Sequence, residues 1–122
     1  MSAMQRNKGK AGEREIAAIV RDLTGWDVRR RVRQHDGDSD LEGVPGWSVE
    51  VKRHATAARG DIRAWWEQAR RQANAGQVPV LFFRRDRDEW RAVWPIDESH
   101  GYDYTAEGSI AAWACVAREA QS

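Results

Sequence analysis

Residues 40–53 read Asp-Leu-Glu-Gly-Val-Pro-Gly-Trp-Ser-Val-Glu-Val-Lys-Arg, and they hold a turn, a strand and a charged face. Pro45-Gly46 is a turn pair. After it, Trp47, Val49 and Val51 alternate with Ser48, Glu50 and Lys52, the period of a strand with one face in a core. Glu50 and Lys52 therefore share the opposite face. Residues 40–44 read as the partner strand of a hairpin, which brings Asp40 across from Glu50. Two facing carboxylates repel unless a cation lies between them, and Mg²⁺ is the usual cation for an oxygen-only site. Glu-x-Lys on a strand is by itself a common solvated pattern. Its pairing with an upstream Asp gives it chemical content.

Upstream, Ile16, Ile19, Val20 and Leu23 repeat at helical spacing, so a helix is predicted over residues 11–24 with Gly25 as its stop. With about 100° per residue, Glu13 falls within roughly 60° of the apolar centre, whereas Arg14 and Glu15 point away. Glu13 is thus the carboxylate turned toward the sheet, needing an ion pair or a metal, and Glu15 the solvent-facing one. Residues 26–33 are expected as a strand with Trp26, Val28 and Val32 on one face and Arg29, Arg31 and Arg33 on the other.

Downstream, a second helix is expected over residues 61–76. Asp61 would be its N-cap, Gly76 its stop, and Ile62, Trp65, Trp66, Ala69 and Ala73 its apolar stripe. Residues 78–83 are nearly all apolar and suit a strand buried on both faces. Residues 89–94 pair with it across a charged turn. Residues 96–108 are expected as loop and 109–119 as a last helix. The result is an α/β fold, a mixed sheet with helices in the order α-β-β-β-α-β-β plus a C-terminal helix.

A chain of 122 residues with 41% hydrophobic and 32% charged residues suits one domain, neither disordered nor membrane-spanning. The N-terminus lacks the apolar core of a secretory signal, so a soluble cytoplasmic protein is expected, from a bacterium or a phage-infected cell. The single cysteine, Cys115, excludes an internal disulfide and a multi-cysteine zinc site. His35, His54 and His100 lack metal-ligand spacing. The glycine-bearing run at residues 8–12 lacks Gly-Lys-Ser/Thr, so no nucleotide cofactor is expected. The net charge of +1 conceals segregation: residues 36–50 carry five acids and no base, between basic stretches at 1–35 and 51–91 that each net +5. An acidic island between basic flanks suits a metal site within a phosphate-binding surface.

The run Lys8-Gly9-x-x-x-Glu13-Arg14-Glu15, then Asp40-Leu41, then Glu50-Val51-Lys52, resembles the PD-(D/E)XK nuclease superfamily, in particular the archaeal-type Holliday junction resolvases and their phage relatives. The likeness spans about residues 7–95, leaving 96–122 as an extension. Ser39 stands where such sequences often carry proline, so Asp38 and Asp40 are both candidate ligands, with Leu41 favouring Asp40. The resemblance implies a restriction-endonuclease-like core and Mg²⁺-dependent endonuclease activity on branched DNA, most closely four-way junctions, by a homodimer. It further implies that Asp40, Glu50, the Val51 carbonyl and Glu13 hold one or two Mg²⁺, with Mn²⁺ as a substitute. Lys52 would be catalytic, and Gln68 matches a glutamine many of these nucleases carry. Candidate DNA-backbone contacts are Arg29, Arg31, Arg33, Arg53, Arg59, Arg63, Arg70 and Arg71. The alternatives are a non-cleaving junction-binding module of the same fold, or a nuclease for nicked, forked or foreign duplex DNA. For the dimer interface the candidates are Ile110, Trp113, Ala114 and Ala117, one side of the last helix, which packing onto their own sheet would equally explain.

Overall fold

The computed structural model describes residues 3–32 and 39–121. In chain order the elements are α1 (Ala3–Thr24), β1 (Arg29–Arg30), β2 (Leu41–Glu42), β3 (Trp47–His54), α2 (Arg59–Gln72), β4 (Val78–Arg85), β5 (Arg91–Pro95), a 3₁₀ turn (Tyr102–Tyr104), β6 (Thr105–Ser109) and α3 (Ile110–Ala120). The main sheet runs β3-β4-β5-β6, and β1 pairs with β2 in a separate two-stranded ribbon. β3 and β4 are parallel, joined through α2 as a parallel pair requires, and the remaining neighbours are antiparallel.

β4 is buried on both faces, as its apolar run demands. Val80 and Phe82 join one core with Ile16, Ala17 and Val20 of α1 and Trp113, Ala114 and Ala117 of α3. Leu81 and Phe83 join a second with Ile62, Trp66 and Ala69 of α2. The sheet thus lies between α1 with α3 and α2. Trp47, Trp66, Trp90 and Trp113 are all buried, the core role expected of tryptophan here.

Several expectations are corrected. α1 begins eight residues before residue 11, because its polar first turns are held by tertiary bonds: Gln5 Nε2 donates to the Arg53 carbonyl at 3.1 Å and Lys8 pairs with Asp86 at 2.9 Å. The strand expected over 26–33 is only two residues long, and Val32 is exposed. β2 pairs with β1 rather than forming a regular hairpin with β3. Gly43 makes the local bend possible: its φ is +87°, and a Cβ there would sit 2.2 Å from the Asp27 carbonyl oxygen. α2 is capped at Ala58, not Asp61. The Asp61 carboxylate, three residues in, accepts from the Ala58 N–H at 2.9 Å, and the helix ends at Gln72.

The segment expected as loop contains β6, paired with β5 over residues 105–109. Ile110, Trp113, Ala114 and Ala117 lie in the chain's own core, at most 5% exposed, so they cannot serve as a dimer interface.

Candidate active site

The edge of β3 that faces away from β4 carries the candidate chemistry. Asp40 is stitched to it twice: its backbone N–H donates to the Val49 carbonyl at 2.7 Å, and its Oδ2 accepts from the Val51 N–H at 2.7 Å. Ser39 assists, accepting from the Val49 N–H at 2.9 Å while donating to the Leu41 carbonyl at 2.6 Å. The hairpin was the wrong description of this pairing, but its consequence holds, since Asp40 lies beside the strand that bears Glu50. The alternative ligand Asp38 falls outside the described residues, as does Arg33.

Asp40, Glu50, Val51 and Lys52 line one pocket of about 300 Å³ together with Gln5, Gly9, Lys10, Glu13, Arg30, Arg53 and His54. A residue's N–H and C=O leave a strand on the same side, so the Val51 carbonyl faces this edge along with the N–H that Asp40 holds. Lys52 Nζ lies 3.3 Å from Glu50 Oε1. Burial, the negative charge of Glu50 and, more weakly, Glu13 push the Asp40 carboxyl up to about 8, against the opposing Val51 hydrogen bond and Lys52. Burial also raises Glu50, opposed by Lys52. Two buried carboxylates that resist ionising together form a site short of positive charge.

Among the described residues no three His, Cys, Asp or Glu side chains are grouped to hold a metal. The available oxygen set is two carboxylates and one carbonyl. That set fits Mg²⁺, which keeps several waters and is commonly held by one or two carboxylates together with substrate phosphate.

Glu13 faces the pocket, as the helical angles predict, but its carboxylate is engaged: Arg30 Nε donates to Oε1 at 2.7 Å, both side chains being less than 20% exposed. Arg30 was missed. The signal was present, since it interrupts the apolar face of Trp26, Val28 and Val32. Glu15 is corrected. It is no free surface carboxylate but accepts from Trp90 Nε1 at 2.8 Å, with Arg84 at 3.5 Å. Gly12 lets the helix come this close, as a Cβ there would lie 3.1 Å from that of Arg53. Glu13→Gln keeps an acceptor for Arg30 but leaves its poorly exposed charge uncompensated and should cost about 1–3 kcal/mol; Glu15→Gln keeps an acceptor for Trp90 and loses only more exposed ion pairs with Arg84 and Arg53, costing about 1 kcal/mol or less. Urea unfolding of the two variants checks the order.

Gln68 lies half-buried on α2 and is not among the pocket residues. Of the arginines, Arg53 lines the pocket with its Nε buried and without a partner among the described residues. Arg29 pairs with Asp27, Arg31 with the Ser39 carbonyl, Arg63 with Asp103 and Arg70 with Glu67. Arg59 and Arg71 are exposed on α2.

A carboxylate pair, a lysine and a strand carbonyl at one sheet edge can be set beside known proteins. The family described as "Phage putative PDDEXK endonuclease" matches residues 4–114. The chain belongs to this PDDEXK family. Its four-stranded mixed sheet flanked by helices is a restriction-endonuclease-like fold. The match includes β6 and the first half of α3, beyond the region the motif likeness covered. The PDDEXK chain is also 29% identical over 115 residues to the "ESX-1 secretion-associated protein EspB" of Mycolicibacterium smegmatis (strain MKD8), covering 92% of its own length and 22% of that relative. It thus spans about a fifth of the curated relative it matches. No solved structure matches. No helix among the described residues is long and apolar enough to cross a membrane.

Proposed function

We propose that the chain is a Mg²⁺-dependent endodeoxyribonuclease that cuts branched DNA as a Holliday junction resolvase does, working as a cytoplasmic homodimer. The observation that carries the nuclease reading is the convergence of Asp40, Glu50 and Lys52 in one pocket, in a chain of the PDDEXK family. Asp40, Glu50 and the Val51 carbonyl would hold the metal, with Glu13 joining directly or through water. When bound, Mg²⁺ supplies an activated water and neutralises charge on the phosphate. Lys52 would orient that water or stabilise the extra negative charge of the in-line transition state, leaving a 5′-phosphate. Glu13 has a second task in this reading, holding Arg30 at the pocket wall, where its charge attracts the DNA backbone. Arg53 lines the same pocket and adds its positive charge to that wall. The junction preference rests on the likeness of Lys8-Gly9-x-x-x-Glu13, Asp40 and Glu50-Val51-Lys52 to the resolvases.

Resolution takes two symmetric cuts and this chain holds one set of site residues, so two copies are needed. Incubation with Mg²⁺ of matched four-way, forked and linear DNA, with cut mapping, tests the substrate. Paired symmetric cuts in the junction are expected, together with a light-scattering mass of about twice 13.9 kDa. Equal cutting of linear duplex by a monomer would turn the reading toward a single-cut nuclease.

A further inference from the structure

The face that bears Glu50 and Lys52 continues for one more step. Side chains two apart on a strand share a face, so His54 follows Lys52 on the pocket side of β3, about 7 Å further along. It lines the same pocket as Asp40, Glu50 and Lys52. Its ring is stacked on Trp65 of α2, centroids 4.8 Å apart and planes inclined at 27°. Trp65 in turn leans on Phe83 of β4 at 6.4 Å. A ring held face-on by an indole presents its nitrogens edgewise, and a polar ring at a pocket wall with a braced orientation is suited to grip a ligand.

We propose that His54 is a substrate-contacting residue: its imidazole binds the DNA phosphate next to the scissile one and so sets where the strand lies across Lys52. This rests on the nuclease reading above. The ligand chemistry follows from the surroundings. The charged groups facing His54 are Lys52 on its own strand, Lys8 from α1 and Asp61 from α2, while the β4 partner is Arg85 and the Asp86 N–H donates to the His54 carbonyl. At the ring itself the two lysines Lys52 and Lys8 are set against one carboxylate, Asp61, which makes an anion the natural guest even with Lys52 shared by Glu50 and Lys8 by Asp86. Burial, Lys52 and Lys8 hold the imidazole below its ordinary value. A bound phosphate favours the charged ring, so binding takes up a proton and affinity rises as pH falls.

Two substitutions separate this role from a packing role. His54→Phe keeps a ring on Trp65 and removes both nitrogens; His54→Gln keeps a donor and removes the titration. The probe is a fluorescein-labelled four-way junction with its linear duplex, bound in EDTA between pH 5.5 and 8 and cut in Mg²⁺. Asp40 and Glu50 titrate in the same protein, so the quantity read is the difference between wild type and variant at each pH.

His54→Phe is expected to raise KM about tenfold with kcat changed less than about threefold, the loss of one charge-assisted hydrogen bond. His54→Gln is expected to lose less affinity and to remove the His54 share of the pH dependence. Thermal melting of each variant checks that the fold is retained. If the wild type cuts DNA and either folded variant keeps its KM and its pH dependence, the assignment of His54 is overturned while the nuclease reading stands. If the wild type neither binds nor cuts any of these DNAs with Mg²⁺ or Mn²⁺, both are overturned.

Discussion

Glu50→Gln and Asp40→Asn should each cut DNA about a thousandfold more slowly than the wild type, bind it as well or better, and melt at a higher temperature in EDTA. The first effect follows from removing an anionic oxygen from the proposed metal site while its arginine and lysine surroundings remain in place. The second follows from the local charge. Asp40 is raised from 3.8 to about 8 in the folded chain, so the folded state holds a proton that the unfolded state releases in that interval. Where the folded state binds more protons, stability falls as pH rises. Metal-free wild type should therefore lose stability steadily between about pH 4 and pH 8, the window bounded by those two values.

The amide of Asp40→Asn still accepts from the Val51 N–H without carrying the charge. It should gain on the order of 1–3 kcal/mol at pH 8, well below the full linkage figure because the site relaxes and admits water. Melting curves at pH 5, 6, 7 and 8, with EDTA or Mg²⁺, read all of this together. Mg²⁺ should raise the melting temperature of wild type most at pH 8 and hardly affect the variants. Full cutting by Glu50→Gln would sink the nuclease assignment, and a flat EDTA profile would show that the two carboxylates do not share a poorly solvated site.

Trp113→Ala should destabilise the chain by about 3–5 kcal/mol, enough to leave a large unfolded fraction at 37 °C in a domain of ordinary stability. The indole is fully buried, meeting Trp47 edge-on at 5.5 Å and Phe82 at 4.8 Å. Such edge contacts add to the area term. Trp113→Phe should be far milder, since it keeps an aromatic edge and removes an indole N–H that is buried without a partner among the described residues. Urea midpoints and near-ultraviolet circular dichroism distinguish the two. A stable, folded Trp113→Ala would contradict the core assignment.

Sequence periodicity was most informative where one physical cause dominates. The unbroken apolar run of β4, the stripe of α2, the Glu50–Lys52 face and the inward turn of Glu13 are all set by burial, and burial leaves a period. What escaped was set by partners distant in sequence. The first turns of α1 are polar and hold Gly9, so nothing local marks them as helix; bonds to Arg53 and Asp86 supply the reason. β6 reads Thr-Ala-Glu-Gly-Ser, without alternation, and is a strand because the edge of β5 accepts it. The Arg30–Glu13 pair joins two segments whose separate patterns reveal only a misplaced charge on each. His54 was passed over because it was weighed as a metal ligand, whereas its placement is a matter of strand parity and of Trp65.

The position of Trp113 also bears on when the protein becomes itself. Synthesis delivers the N-terminal part first, so Asp40, Glu50 and Lys52 are made while the space between Trp47 and Phe82 still has nothing in it. β3 cannot be backed, nor its edge held straight, until α3 has left the ribosome and its indole has been inserted. A chain with this order of parts carries its candidate site residues early and a core side chain behind them late. Formation of the pocket during translation is therefore expected to wait for α3.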